Sequence, residues 1–384
     1  FKLAAAAILA AGAAALCFIA AGSFVGGAGA EYSLAAQISE ENQKTESRTS
    51  QQPAPVETSA PVKEPDPTEA PDPKEALRQQ AEAIAASMTL EEKVCQLFMV
   101  TPEQLTGVGQ VTAAGDATRQ ALLNRPVGGL IYFRQNLQSP EQTRQLLENT
   151  REIGSQVEKL PLLLAVDEEG GSVTRIGGQS AFGEAVFPDM AQIGAEGNPQ
   201  KAYEVGKTIG AYLKKYGFNM DFAPDADVLT NPDNRVVADR SFGRDPQLVW
   251  DMASQVAQGL MEEGIQPVYK HFPGHGATAG DTHEGFAYSE RTIDQLRESE
   301  LVPFQKAIDA GADCIMVGHI SAPIVAGDDT PASLSEKLIQ QLLRDEMGFE
   351  GVVVTDALNM GAIQEHYSSG DAAVKAIQAG ADLL

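Results

Sequence analysis

The feature that most constrains the fold is a repeated alternation of short apolar runs with longer amphipathic stretches between residues 76 and 384. The runs are rich in β-branched residues and have strand length, whereas the stretches between them have helical periodicity. The predicted strands are 96–100, 129–133, 162–166, 218–222, 266–270, 314–318, 351–355 and 381–384. The predicted helices include 140–153, 199–216, 246–263, 292–310 and 335–347. This order predicts an α/β domain with a parallel sheet.

Eight such units in about 300 residues favour a (β/α)8 barrel of the TIM type. A doubly wound open sheet is the alternative, but it requires a glycine-rich turn after the first strand, and residues 101–103 contain no glycine. The eighth strand is short, and no helix follows it. We therefore expect the natural chain to continue for at least one more pair of strand residues and one helix beyond Leu384.

The first thirty residues differ from this pattern. No charged residue occurs from Leu3 to Ala30, Lys2 precedes the run, and its apolar part is about as long as a bilayer-spanning helix. Ala28-Gly29-Ala30 has the form of a signal peptidase site, so residues 1–30 are predicted to be a signal peptide or a membrane anchor. A buried alanine-rich helix is the remaining alternative. Either of the first two interpretations predicts an extracytoplasmic protein, secreted or membrane-anchored.

Residues 31–75 are rich in proline and glutamate and almost lack large apolar side chains. Such a segment cannot bury enough surface to offset its chain entropy, so we expect a disordered linker. The globular domain is then 76–384.

The charge and the cysteines exclude two classes of function. With 28 Lys+Arg against 53 Asp+Glu, the chain has a net charge of −25 and repels nucleic acid phosphates. Cys17, Cys95 and Cys314 lack the paired spacing of a metal or redox site. Neither a nucleic acid partner nor a cysteine-based metal site is expected.

Polar residues follow several of the predicted strands directly, at the end where barrel enzymes carry their active sites. One such residue alone could be a cap or a loop contact, but a group of them indicates a functional site. The group consists of Asp167, Glu169, Asp225, Asp227, Lys270, His271, His319 and Asp356.

Three of the five histidines, His271, His275 and His283, lie within thirteen residues after the fifth strand. This clustering predicts that the loop takes part in chemistry. Glycines flank His275, which favours a loop residue bonded to the backbone. His366 is isolated on a polar segment, and we assign it no function.

Several motifs stand out along the chain: Lys270-His271-Phe272-Pro273-Gly274-His275-Gly276, Asp281-x-His283, Asp167-Glu168-Glu169-Gly170-Gly171, Arg240-Ser241-Phe242-Gly243, Pro331-Ala332-Ser333-Leu334-Ser335 and Val352-Val353-Val354-Thr355-Asp356-Ala357-Leu358. With these motifs, the sequence from about Leu90 to Leu384 resembles glycoside hydrolase family 3 enzymes of the β-N-acetylglucosaminidase type. Thr282 stands where this family commonly has Ser, and Ala357 where many members have a second Asp.

The resemblance implies a retaining glycosidase, which needs a carboxylate nucleophile and a proton donor on either side of the scissile bond. It assigns the nucleophile to Asp356 and the acid/base to His283, with Asp281 orienting the imidazole ring. It also implies five charged or polar contacts to the sugar hydroxyls, from Asp167, Arg175, Arg240, Lys270 and His271.

The resulting prediction is an exo-acting β-N-acetylglucosaminidase that removes terminal GlcNAc from peptidoglycan fragments or related glycans without a cofactor. A β-glucosidase or a phosphorylase of the same family is an open alternative. A metal-dependent barrel hydrolase is another, with Asp356 as its base, although no His-x-His pair follows the first strand. A carbohydrate-binding module without activity is the last. The ligands of the metal alternative would be His271, His275, Asp281 and His283.

Overall fold

Short parallel strands alternate with helices along the chain. The computed structural model describes residues 73–278, 280 and 285–384. The strands are β1 (Met99–Val100), β2 (Gly129–Ile131), β3 (Leu163–Val166), β4 (Met220–Asp221), β5 (Gln266–Pro267), β6 (Tyr269–Phe272), β7 (Ala287–Tyr288), β8 (Cys314–Val317), β9 (Ile320–Ser321) and β10 (Val352–Thr355).

The described helices lie mostly between these strands. They are α1 (Pro73–Ser87), α2 (Leu90–Gln96), α3 (Pro102–Thr106), α4 (Asp116–Asn124), α5 (Pro140–Val157), α6 (Met190–Ala195), α7 (Pro199–Tyr216), α8 (Pro246–Glu262), α9 (Ile293–Glu298), α10 (Leu301–Asp309), α11 (Pro323–Ala326), α12 (Gly361–Gln364) and α13 (Ser369–Ala379). A further helix with π-type hydrogen bonding spans Lys337–Glu346, and short 3₁₀ turns span Arg134–Asn136, His275–Ala277 and Ala332–Leu334.

The three longest helices that follow strands begin in the same way. The caps of α5, α7 and α8 are Ser139, Asn198 and Asp245, and each side chain accepts a backbone N–H from the first turn. A proline follows each cap. Proline has no backbone N–H, and at this first helical position an N–H would find no acceptor within the helix. These local signals explain why the predicted starts of the three helices are confirmed.

The strands form two parallel sheets with a connection at each edge. One has the order β1–β2–β3–β4–β5 and the other β6–β8–β10, while β7 and β9 form a separate parallel pair. Only Val268 separates β5 from β6, and its N–H donates to the carbonyl oxygen of Ala223 at 2.8 Å. At the opposite edge Leu383 pairs with Val354, and the Leu384 N–H donates to the carbonyl oxygen of Leu97 at 2.8 Å. The predicted α/β class with parallel strands is confirmed.

The two faces of the strands belong to different parts of the core. In β3, Leu164 and Val166 pack in the cluster that includes the helices, whereas Leu163 and Ala165 pack in a second cluster. This alternation follows from the two-residue period of a strand. The second cluster is built mainly from strand side chains of both sheets: Leu163, Ala165, Met220, Phe222, Cys314, Met316, Val352 and Val354, with Val268 and Leu383 beside them.

Several predicted boundaries were wrong. The predicted helix 292–310 is two helices, α9 and α10, because Ser299 leaves the helical conformation and Glu300 is buried against Thr230. The first strand starts at Met99 rather than at residue 96, because α2 extends through Gln96. The last predicted strand, 381–384, contains one bridge at Leu383 instead of a continuous ladder.

The predicted membrane or signal segment, 1–30, lies outside the described residues, as does the predicted linker through residue 72. Helix α1 begins at Pro73, three residues before the predicted domain boundary. In the part of the chain that the structure describes, every helix is too short or too polar to cross a bilayer.

Candidate active site

A cavity of about 400 Å³ opens at the carboxyl ends of the strands. Residues of strands from both sheets contribute to its wall, from Met99 in β1 to Leu384, which follows the bridge at Leu383. Polar groups gather on one part of the wall, and apolar side chains such as Phe133 and Met316 line the rest. Six of the predicted site residues line this one cavity: Asp167, Arg175, Arg240, Lys270, His271 and Asp356.

The strands determine where these side chains stand. Asp167 directly follows β3, Lys270 and His271 lie within β6, and Asp356 directly follows β10. Because parallel strands all end on the same side, residues far apart in sequence meet there.

The centre of the polar wall is a buried group of ions. Glu169 accepts two hydrogen bonds from Arg240, at 2.8 and 2.6 Å, and its Oε1 lies 2.7 Å from Lys270 Nζ. Burial alone would raise the pKa of Glu169, but the two cations outweigh it and hold the pKa well below its ordinary value. Glu169 is therefore a carboxylate whose charge keeps Arg240 and Lys270 in fixed positions.

Lys270 and Arg175 meet at Asp167 on the edge of this group. Lys270 Nζ donates to Asp167 Oδ1 at 3.0 Å, and the Arg175 guanidinium donates to Oδ2 at 3.3 Å. The Arg175 side chain also lies over the Phe133 ring, 5.5 Å from its centroid. These three charged groups thus form one hydrogen-bonded set on the cavity wall.

The hydrogen-bonding roles of the two His271 ring nitrogens follow from their neighbours. Nδ1 lies 2.7 Å from Asp227 Oδ2, and Nε2 lies 3.2 Å from the Arg240 guanidinium. Because a guanidinium can only donate, Nε2 accepts from Arg240 and Nδ1 donates to the Asp227 carboxylate. Burial opposes the charge of Asp227, but its contacts with His271 and His275, including hydrogen bonds at 2.7 and 2.5 Å, outweigh burial and lower the pKa of Asp227.

Asp356 is ionised for similar reasons. Burial would raise its pKa, but the nearby His319 and His271 and a 2.8 Å hydrogen bond from the Ala357 N–H lower it below the ordinary value. His319 is itself held by Ser333 and by the Ala357 carbonyl oxygen, at 2.8 and 2.9 Å. The Asp356 carboxylate therefore meets the cavity as an anion at neutral pH.

Sequence reasoning missed several contributors to the site. Glu169 and Asp227 were noted at strand ends but given no role, although one neutralises two cations and the other orients His271. His275 was predicted to be a loop residue bonded to the backbone. In the structure its N–H donates to the Asp227 carboxylate at 2.5 Å, its ring Nδ1 lies 2.9 Å from the Thr278 hydroxyl, and the residue lines the cavity. The signal for Glu169 was its strand-end position. The signal for His275 was its place in the histidine-rich motif of residues 270–276.

Asp281 and His283, the predicted orienting residue and acid/base, lie outside the described residues. Their roles remain predictions from the resemblance. The described chain comes next to them at Gly280 and Gly285.

Three buried side chains, Asp225, Asp227 and His271, have ligand atoms close enough together to hold a metal ion. However, the Arg240 guanidinium lies 3.7 Å from Asp225 and 3.2 Å from His271, and so already supplies positive charge there. A second cation would meet repulsion from Arg240. The arrangement fits a polar network around Arg240 better than a set of metal ligands.

The family model for the glycosyl hydrolase family 3 N-terminal domain matches residues 89–384. The chain belongs to glycosyl hydrolase family 3. A β-hexosaminidase of Nitrosomonas eutropha is 36% identical over 279 residues, which cover 71% of this chain and 77% of that protein. The β-hexosaminidase LpqI of Mycobacterium tuberculosis is 38% identical over 230 residues, 58% of each chain.

Among solved structures of family 3, a β-N-acetylglucosaminidase from a Paenibacillus species superposes with a TM-score of 0.72 at 40% identity. The superposition covers 77% of this chain and 54% of that one. A second similar structure, NagZ from Neisseria gonorrhoeae bound to N-trifluoroacetyl-D-glucosamine, gives a TM-score of 0.63 at 30% identity. The chain therefore spans little more than half the length of LpqI and of the Paenibacillus enzyme.

The first prediction concerns the planar Arg240 guanidinium, which bonds Glu169 twice and also contacts His271. Arg240→Lys keeps the charge but cannot bond Glu169 twice and His271 at the same time. We expect kcat/KM for a nitrophenyl glycoside to fall roughly 10- to 100-fold, as for charged hydrogen bonds worth about 1.5–3 kcal/mol. The matched control is Arg344→Lys, because Arg344 binds Asp382 and lies outside the cavity. It should lower the free energy of unfolding and leave kcat/KM unchanged. Wild-type kcat/KM in Arg240→Lys would contradict this role.

Proposed function

We propose that this family 3 glycosidase is an exo-acting, retaining β-N-acetylglucosaminidase that removes terminal non-reducing GlcNAc from peptidoglycan fragments or related glycans. One observation carries the proposal. An ionised carboxylate, Asp356, shares a cavity of about 400 Å³ with a preformed set of charged hydrogen-bonding groups. That volume suits one sugar ring better than a long glycan.

Asp356 is the proposed nucleophile. Its carboxylate attacks the anomeric carbon while the acid, which we assign to His283, donates a proton to the glycosidic oxygen. The C–O bond to the leaving group breaks as the C–O bond to Asp356 forms. Water then attacks the same carbon, His283 takes its proton, and the Asp356 carboxylate is released. Two inversions give net retention, with Asp281 orienting the His283 ring.

Sugar recognition is assigned to Asp167, Arg175, Arg240, Lys270 and His271. Their mutual hydrogen bonds fix the side chains before substrate binds, so little side-chain entropy is lost on binding. Charged donors and acceptors of this kind bind hydroxyl groups strongly. We propose that no cofactor takes part, because the charges at the site come from side chains.

For the scaffold we propose a closed (β/α)8 barrel over residues 76–384. The backbone hydrogen bonds at both edges of the two sheets support it, as does the apolar cluster built from strands of both sheets. An open doubly wound sheet would leave two unpaired edges. We further propose that residues 1–30 are a signal peptide or membrane anchor and that 31–75 are a linker, so that the enzyme acts outside the cytoplasm.

The sugar specificity is tested with a panel of nitrophenyl glycosides, each assayed with and without phosphate. We expect hydrolysis of the β-N-acetylglucosaminide to exceed that of the β-glucoside, without dependence on phosphate or loss of activity with a chelator. Faster β-glucoside turnover would favour a β-glucosidase, and phosphate-dependent release would favour a phosphorylase. Loss of activity with a chelator would favour the metal-dependent alternative, and no turnover a binding module.

The nucleophile is tested with Asp356→Asn. This variant loses the group that forms the covalent bond, so we expect kcat to fall by several orders of magnitude at an unchanged melting temperature. A mechanism-based fluorosugar should label Asp356 of the wild type, as read by peptide mass spectrometry. Asp371→Asn, in the exposed first turn of α13, is the control and should keep full activity. Labelling of another residue would move the nucleophile there.

The acid is tested with His283→Ala. Leaving groups of high pKa need a proton to depart and nitrophenolates hardly do, so kcat/KM should fall far more for alkyl glycosides than for nitrophenyl glycosides. His366→Ala, which changes an exposed histidine stacked on Phe286, serves as the control. Equal losses on both substrate types would argue against His283 as the acid.

A further inference from the structure

The motif Asp167-Glu168-Glu169 contains one carboxylate that does not belong to the cavity wall. Glu168 is fully buried, and its Oε2 accepts the backbone N–H groups of Arg175 at 2.6 Å and Ile176 at 3.0 Å. Its Oε1 accepts the N–H of Gly177 at 2.7 Å and the hydroxyl of Tyr212 at 2.8 Å. One buried carboxylate thus satisfies four donors, three of which are consecutive in the loop after β3.

The direction of Glu168 follows from its neighbours. Asp167 and Glu169 both line the cavity, so the residue between them points the opposite way, toward Tyr212 on α7. The Glu168 N–H donates to Asp221 Oδ1 at 2.9 Å, which ties the same residue to the end of β4. Glu168 therefore connects two strand ends and a helix to the loop that carries Arg175.

Arg175 is bound at both of its ends. Its N–H is held by Glu168, while its guanidinium reaches Asp167 Oδ2 at 3.3 Å and covers the Phe133 ring. The hydrogen bond from the Arg175 N–H to Glu168 fixes the backbone end of this long side chain, and the contact with Asp167 fixes its guanidinium. Without the backbone anchor at Glu168, Arg175 would have to be ordered when substrate binds, at a cost in side-chain entropy.

We propose that Glu168 is a positioning residue, which fixes Arg175 for contact with the sugar by binding the backbone N–H groups of residues 175–177. The inference rests on the proposed sugar-binding role of Arg175. Glu168 itself touches no substrate.

The chemistry of the contact requires a carboxylate beside a glycine. An ionised carboxylate offers acceptors only, whereas the amide of a glutamine would turn one N–H₂ toward donors. A Cβ on residue 177 would lie 2.8 Å from Glu168 Oε1, so only glycine lets the third N–H approach this closely. Gly177→Ala therefore disturbs the same contact from the other side without changing the charge.

The decisive experiment is a double-mutant cycle of Glu168→Gln with Arg175→Ala. We expect Glu168→Gln to lower kcat/KM roughly 10- to 100-fold, mainly through KM, as for loss of hydrogen bonds to a charged group. In the Arg175→Ala background it should cause little further loss, because the side chain it positions is gone. If the fold-changes of the two single variants multiply in the double variant, the two residues act independently and the proposal is overturned. Unchanged kinetics in Glu168→Gln would overturn it as well.

Two variants separate positioning from general stability. Tyr212→Phe removes one donor to Glu168 but leaves the loop backbone bonded, so it should lower the melting temperature with little change in KM. Glu158→Gln is the matched control, a partly buried glutamate before the start of β3, and should not change KM. If Glu168→Gln does not fold, the cycle is run with Gly177→Ala and Arg175→Ala. Fold-changes in kcat/KM that multiply in the double variant again overturn the proposal.

Amide hydrogen exchange makes the test independent of the substrate. In Glu168→Gln the amides of residues 175–177 should exchange faster than in the wild type, with exchange in the strands unchanged. Unchanged exchange at 175–177 would contradict the anchor. If the wild type hydrolyses no glycoside, the proposed function fails, whereas the exchange result still decides whether Glu168 holds the loop.

Discussion

Burial of Lys270 and Arg240 at the strand ends is the constraint on which the site depends. Their side chains are only 3% and 14% exposed, so each cation must find its counter-charge within the protein. Glu169 contacts both, and Asp167 places a second carboxylate beside Lys270. Removing one member of such a buried group costs about 3–5 kcal/mol, because it leaves an uncompensated charge. The ion pairs with Glu169 offset the cost of burying Lys270 and Arg240, and they also hold both side chains in a fixed orientation on the cavity wall.

Strand geometry explains how three adjacent acidic residues come to have different tasks. Asp167 and Glu169 face the cavity and neutralise its cations, while Glu168 faces the helix layer and binds backbone. The alternation that separates Leu163 from Leu164 within β3 thus continues past the strand into the motif. The three consecutive carboxylates therefore act on two sides of the loop: two neutralise cations on the cavity wall, and one binds backbone N–H groups on the helix side.

How much could be predicted from sequence depended on how local the signal was. Strand cores and the starts of α5, α7 and α8 were predicted because apolar period, cap and proline are all encoded within a few residues. The break at Ser299 was not, since it depends on burial of Glu300 against Thr230, a residue seventy positions earlier. For the site, strand-end position identified Asp167 and Asp356. The partners of Glu168 lie in the loop at residues 175–177 and on α7 at Tyr212. Hydrophobic periodicity does not predict which residues such a loop brings together.

The charge already present at the site bears on the choice of acid. Asp356 is ionised beside a wall that contains the Asp167 and Glu169 carboxylates, and its pKa is low because His319 and His271 outweigh the effect of burial. A carboxylic acid/base would add one more anion to this cavity each time it lost its proton, which would raise its pKa and that of its neighbours. A histidine donor goes from cation to neutral instead. An imidazole acid therefore adds no further anion beside the Asp167 and Glu169 carboxylates when it gives up its proton to the leaving group.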